Sequence, residues 1–240
     1  MIFIKRWIRK GNQHINMSAN GKKERFIPEY TYSSFIICLS ICGTMYFVTK
    51  YMGIGAPHDL ANACDEMIPF IPAWSVIYLG CYFFWAFNAV LVAREGKKKW
   101  YRFVAAYVMA EFFCCAVFIL FPTTMPRPEI TGSGIFDQLM IIVYSADLPY
   151  NLLPSIHCML SWLVTRPLLG SVRVPGWYQV VSVFACVLIF LSTLFTKQHV
   201  MIDIPTGILV AEAALYAAGI LPLADWFERL FGRIDSIIFK

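Results

Sequence analysis

The chain has 240 residues, of which 59% are hydrophobic and only 15% charged. Soluble domains carry about 25% charged residues, so the composition excludes an ordinary water-facing globule and points to a bilayer as solvent. The formal net charge is +5, but where those charges fall tells more than their sum.

A helix needs roughly 17–25 apolar residues to cross a hydrocarbon core. Residues 1–31 are a basic, polar segment, so the first apolar run begins too late and with the wrong flanks for a cleaved signal peptide and is read as a retained span. Taken in chain order, Tyr32–Thr49, Trp74–Ala93, Phe103–Phe121, Tyr178–Phe195 and Val200–Leu221 fit a crossing. A sixth stretch, Ile156–Leu169, is short and contains Arg166 and Pro167; it spans only if Arg166 snorkels to the headgroups. The expectation is an all-α, polytopic six-helix bundle in one domain over residues 32–221, followed by a tail over residues 222–240.

Charge gives the orientation. With the N-terminus inside, segments 1–31, 94–102, 166–177 and 222–240 hold 17 of the Lys and Arg residues, and the opposite side holds only Lys50, Arg127 and Lys197. That split follows the positive-inside rule. It predicts cytoplasmic termini, with the Lys97-Lys98-Lys99 run as a topology anchor and a contact for anionic headgroups. Tail residues Trp226, Phe227, Leu230, Phe231, Ile234, Ile237 and Ile238 recur at helical spacing, as in a helix lying in the inner interface. Between the third and fourth spans, Pro122–Leu153 is too polar to cross, and Ile135–Tyr144 is expected to form a short helix resting on the outer leaflet.

Several polar residues have structural readings. Glu111 and Glu212 fall near the middle of spans, where carboxyls are costly; both are expected to face the bundle interior, protonated and hydrogen-bonded. Asn88 is expected to bond between helices, and Pro205 to kink the last span near its outer end. The eight Cys lack the spacing of a zinc or disulfide framework and are read mostly as small buried hydrophobes. His14 and His58 lie outside any motif.

Three polar stretches remain, all on the predicted outer side. The first is Pro122–Pro128, which contains Arg127. The second runs from Asp147 through Pro154-Ser155-Ile156-His157. The third runs from Ser192 through Lys197 and His199 to Asp203. His199 and Asp203 are four apart, a spacing that lets a carboxylate hold one imidazole nitrogen and leave the other free as nucleophile or base. Pro154-Ser155 opens a helix, whose free amides favour an anion, and His157 in its first turn could protonate a leaving oxygen. Arg127 suits multidentate phosphate contacts and Lys197 adds a point charge. Each motif alone is weak; three on one face make a site for a phosphoryl group in transfer.

In these stretches the sequence resembles the type 2 phosphatidic acid phosphatase superfamily, whose pattern has Lys-x6-Arg-Pro, Pro-Ser-x-His and Ser-Arg-x5-His-x3-Asp elements. Arg127-Pro128 matches the first in part, residues 154–157 match the second fully, and Ser192, His199 and Asp203 match the third. The resemblance implies that His199 is the nucleophile forming a phosphohistidine, with Asp203 orienting it and His157 as general acid. Arg127 and Ser155 would bind phosphate, aided by Lys197 and Ser192, with no metal or other cofactor. The sequence departs from the pattern at Leu120, where the family has Lys, and at Thr193, where it has Arg. In that respect it is similar to the branch of inositol phosphorylceramide and sphingomyelin synthases, and fewer cations suit a phosphodiester better than a dianionic monoester. The expected partner is a membrane lipid phosphate and not a nucleic acid. Hydrolysis, headgroup transfer, and non-catalytic lipid binding or transport on the same fold all remain open, as does a channel or transporter, although charged residues lining several spans are not apparent.

Overall fold

A computed structural model describes residues 25–238, and expectations that fall on residues 1–24 lie outside them. The described chain is helical. In order it contains α1 (Tyr32–Thr49), α2 (Ala63–Met67), α3 (Ser75–Arg94), α4 (Lys97–Leu120), α5 (Ile135–Ala146), α6 (Ile156–Thr165), α7 (Gly176–Phe195), α8 (Asp203–Ile220) and α9 (Leu223–Ile238). The extended exceptions are two short strands, β1 (His58–Asp59) and β2 (Thr123–Thr124), paired in parallel.

Among the described residues five helices, where six spans were expected, are long and apolar enough to cross a membrane: Glu29–Thr49, Pro72–Arg94, Lys97–Leu120, Gly176–Phe195 and Asp203–Ile220. All five coincide with stretches expected from hydropathy. The sixth stretch yields α6, only 10 residues long. Pro154 precedes its cap and Pro167 follows its end, and proline is not tolerated in a helix interior. A 3-10 turn over Arg166–Leu168 carries the chain onward, to Ser171, whose hydroxyl donates to the Glu95 carboxylate between α3 and α4. α6 thus descends through the middle of the bundle, packed on α8, α7, α3 and α4.

The core is apolar and close-packed, built around Trp100, Tyr101, Phe118, Met159, Leu163 and Leu168. Seven of the eight Cys are buried in the bundle and Cys64 is exposed. Several polar residues inside are paired between helices. Asn88 donates to Ser182 Oγ and accepts from the Tyr178 hydroxyl, joining α3 to α7. Trp85 donates to Ser161 and Trp100 to Ser34. Glu111 is buried, as expected of an interior carboxyl, but its Oε2 has no hydrogen-bond partner among the described residues.

Glu212 corrects its expectation. Its side chain is 43% exposed and forms an ion pair with Arg166 at 3.0 Å, while the Trp162 indole donates to the same oxygen at 2.7 Å. Arg166 is therefore drawn sideways to a carboxylate of α8, because an ion pair beside a lipid-facing surface is cheaper than a lone charge. Pro205 also departs from expectation. α8 starts at Asp203, so Pro205 lies in the first turn, where the missing N–H has no intrahelical acceptor to lose.

The tail is helical, and its apolar stripe docks on the bundle. Phe227 and Phe231 are buried against the start of α4, with Phe231 stacked on Tyr101 and Lys97 paired with Glu228. α5 is packed in the same manner. Met140 and Val143 bury against Tyr78 of α3, so it is anchored to the bundle as well as bordering it.

One glycine sets the spacing at the heart of the fold. A Cβ on Gly207 of α8 would lie 2.7 Å from the Ser155 carbonyl oxygen and 3.0 Å from the Met159 amide nitrogen. Only glycine lets the start of α6 come this close to the first turns of α8. Gly207→Ala should destabilise the protein by about 1–3 kcal/mol, as overpacking of a tight contact does. Thermal unfolding in detergent checks this, and an unchanged midpoint would contradict it.

Candidate active site

The polar stretches singled out in the sequence converge at one end of the bundle. α7 ends in a Schellman turn: Gln198 N–H donates to the Thr193 carbonyl at 2.9 Å, and Lys197 N–H to that of Leu194 at 3.0 Å. Lys197 takes the left-handed position with φ of 51°. The His199 amide also reaches the Thr193 carbonyl, at 3.2 Å. This turn, and not a helical face, carries His199, because the following helix begins only at Asp203.

Asp203 then gathers the site. Its Oδ2 is 3.0 Å from His199 Nδ1 and accepts the Val200 N–H at 3.0 Å. Its backbone carbonyl accepts the Ser155 N–H at 3.4 Å, tying the second motif to the third. The carboxylate is fully buried. Held at Nδ1, the His199 imidazole leaves Nε2 as its free nitrogen.

Ser155 caps α6, its Oγ accepting the Cys158 N–H at 3.3 Å. The first-turn amides of Ile156 and His157 have no intrahelical acceptor. His157 stands in that turn, stacked on Tyr78 with centroids 4.4 Å apart and flanked by Trp85 at 5.5 Å. Its ring centroid lies 5.9 Å from that of His199. Two imidazoles 42 positions apart in the chain thus face a common space.

Arg127 joins them from the loop after α4. Its Nη2 donates to Gln198 Oε1 and its Nη1 to the Asp147 carbonyl, both at 2.6 Å, and the guanidinium lies 4.5 Å over the Tyr144 ring. Burial pulls its pKa below the ordinary arginine value, opposed by nearby Asp147. Lys50, at the end of α1, was counted in the sequence only as an outer cation. Its side chain is 4% exposed and binds Asp147 Oδ1 at 2.7 Å, and the Tyr46 hydroxyl donates to the same oxygen. Burial would push the Asp147 carboxyl up, but the Lys50 hydrogen bond and charge, with help from His157 and Tyr46, hold it below the usual aspartate range.

Two expected phosphate ligands are engaged elsewhere. Lys197 Nζ donates to the Asp65 carbonyl at 2.7 Å, and the Ser192 hydroxyl to that of Ile189 in its own helix at 2.7 Å. Asp65 instead braces the loop that carries His199, its Oδ1 accepting the Met201 N–H at 2.7 Å. Thr193, standing where the resemblance would place an arginine, contributes its carbonyl to the turn.

Comparison with family models, curated proteins and solved structures found no match for the chain. The site is therefore read from its own chemistry. Arg127 Nε, Gln198 Nε2, His157 Nε2 and Asp203 Oδ1 are buried without a hydrogen-bond partner. Such atoms are rare and costly in a folded protein. Three of the four are nitrogens able to donate, as an anion site requires. Among the described residues, no group of three or more His, Cys, Asp or Glu is placed to hold a metal ion.

Sequence reasoning passed over Asp65, Lys50 and Gln198 as site residues. Lys50 left a signal as one of three outer cations; Gln198 left only its position beside His199, and Asp65 left none. Asp147→Asn should cost about 3–5 kcal/mol by leaving the Lys50 ammonium buried without its counter-ion. The sign with pH follows. The Asp147 pKa is depressed, so the pair's contribution is complete above the ordinary value of 3.8 and fades as pH falls through the lowered one. Acid titrations of stability should show that limb in the native protein and lack it in Asp147→Asn.

Proposed function

We propose that the protein is an integral membrane phosphatase or phosphotransferase acting on the phosphorylated headgroup of a lipid. The observation that carries this reading is the pair of imidazoles 5.9 Å apart, with unsatisfied nitrogens around them and Asp203 fixed on one. In the first step His199 Nε2 attacks phosphorus and a P–N bond forms. The P–O bond to the lipid alcohol breaks, and His157 gives its proton to the departing oxygen. Asp203 holds Nδ1–H and stabilises the charge that develops on the ring. Water, or a second alcohol in the transferase variant, then attacks phosphorus and passes its proton to His157, and the P–N bond to His199 breaks to free phosphate or a new ester. Arg127 and the start of α6 at Ser155 steady the equatorial oxygens.

The membrane setting supports a lipid. On this reading six passages cross the bilayer, α6 with its 3-10 extension being the short one. The site end carries Lys50, Arg127 and Lys197 while the basic residues of 94–102, 166–173 and 229–233 lie towards the opposite end, which by the positive-inside rule is cytoplasmic. A lateral cavity of about 270 Å³ lies between α1 and α3, with α4 and α6 behind it. Its lining includes Phe35, Leu39, Tyr82, Trp85 and Leu160, and Trp85 also touches His157. An aliphatic chain seated there would leave its headgroup beside the two imidazoles.

Charge favours a phosphodiester or a singly ionised ester. Lys50 is neutralised by Asp147 and Lys197 is turned to Asp65, leaving Arg127 as a site cation bonded to no carboxylate among the described residues. A panel of lipid phosphomonoesters and phosphodiesters, assayed with purified protein in chelator, tests the reading. Activity should survive chelation and fall by at least a thousandfold in His199→Ala and in His157→Ala, consistent with loss of a nucleophile or general acid. A purely lipid-binding protein would turn over nothing, and turnover abolished by chelator would overturn the mechanism.

A further inference from the structure

We infer that Gln198 is a phosphate-binding residue: its side-chain amide nitrogen donates to an oxygen of the anion held between His157 and His199. The inference rests on the phosphoryl-transfer reading and adds a ligand that neither the motif nor the resemblance assigns.

The orientation of the amide is chemically fixed. Arginine offers only donors, so the group 2.6 Å from Arg127 Nη2 must be the Gln198 oxygen. The NH₂ group is thereby turned the other way. It has no partner, although the residue is only 2% exposed. A buried, unsatisfied amide is costly, a cost that an incoming anion would remove. The backbone is equally constrained, since the Schellman turn holds Gln198 N–H on Thr193 and places the residue directly before His199. Arg127 carries a second unsatisfied N–H, at Nε. Gln198 and Arg127 therefore form a bonded pair that offers two further donors to one anion. Within the pair Gln198 supplies neutral hydrogen bonding where Thr193 brings no cation.

Two substitutions separate a phosphate ligand from a mere support for Arg127. Gln198→Glu keeps an oxygen for Arg127, and as a carboxylate holds it more tightly, but replaces the NH₂ by a negative oxygen. Gln198→Leu removes both functions. The probe is orthovanadate, a phosphate mimic, titrated calorimetrically into the full-length protein in detergent, with thermal unfolding as a check on folding. If Gln198 binds the anion, Gln198→Leu should weaken vanadate about ten- to a hundredfold, and Gln198→Glu should weaken it at least as much despite an intact Arg127 contact. Gln198→Asn, which keeps the amide on a shorter arm, should fall between Leu and the native residue. Vanadate binding by Gln198→Glu equal to or tighter than native would overturn the inference and leave the two-histidine mechanism standing. Native protein that binds no vanadate, and is inactive on every lipid phosphate, would overturn both.

Discussion

The Asp203 carboxylate is the constraint on which the site depends. One oxygen of a buried group holds the His199 ring and the Val200 amide, and the same residue's carbonyl holds the amide of Ser155. A carboxylate is worth burying when several donors converge on it. Here both donors to the carboxylate, His199 and Val200, come from the third motif, and the backbone carbonyl of the same residue takes the Ser155 N–H of the second, so one residue joins the two motifs. Gly207 one turn later provides the room, since any side chain there would drive α6 and α8 apart. The helical bundle around them is apolar, so the backbone hydrogen bonds of its helices are satisfied internally and polar chemistry is confined to one end.

Charge at that end is economical. Lys50 and Asp147 cancel, Lys197 braces a loop through Asp65, and Arg127 is held by a carbonyl and an amide oxygen. Arg127 spends two N–H donors on the scaffold and keeps Nε unsatisfied. On the proposed reading, ligand recognition by so few cations would rely on neutral donors, the amides at the start of α6 and the side chain of Gln198. Each is fixed before any ligand arrives, which is the condition under which hydrogen bonds stabilise a transition state without reorganisation.

Much of this was legible in the sequence, for physical reasons that also explain the rest. Long apolar runs must form helices in lipid, so the five long helices follow from hydropathy alone. The short helix α6 did not, because its length depends on where Pro154 and Pro167 permit a helix. Likewise, the i, i+4 spacing of His199 and Asp203 correctly pairs them, but a turn produces the contact, which hydropathy from Val200 onward concealed. Glu212 was misjudged because composition shows that a carboxyl lies within a span but not which way it faces. The residues most easily missed were those fixed by tertiary contact. Nothing local marks Asp65 as the brace of a loop 132 residues away, or Gln198 as the partner of Arg127.

A rapid-quench experiment with a lipid phosphate radiolabelled at phosphorus tests the central claim most directly. If the two imidazoles work on one anion, the quenched protein carries an alkali-stable, acid-labile phosphoramidate on the peptide containing His199, and none in His199→Ala. Turnover with no label at any time, or label on another residue, would contradict a nucleophilic role for His199.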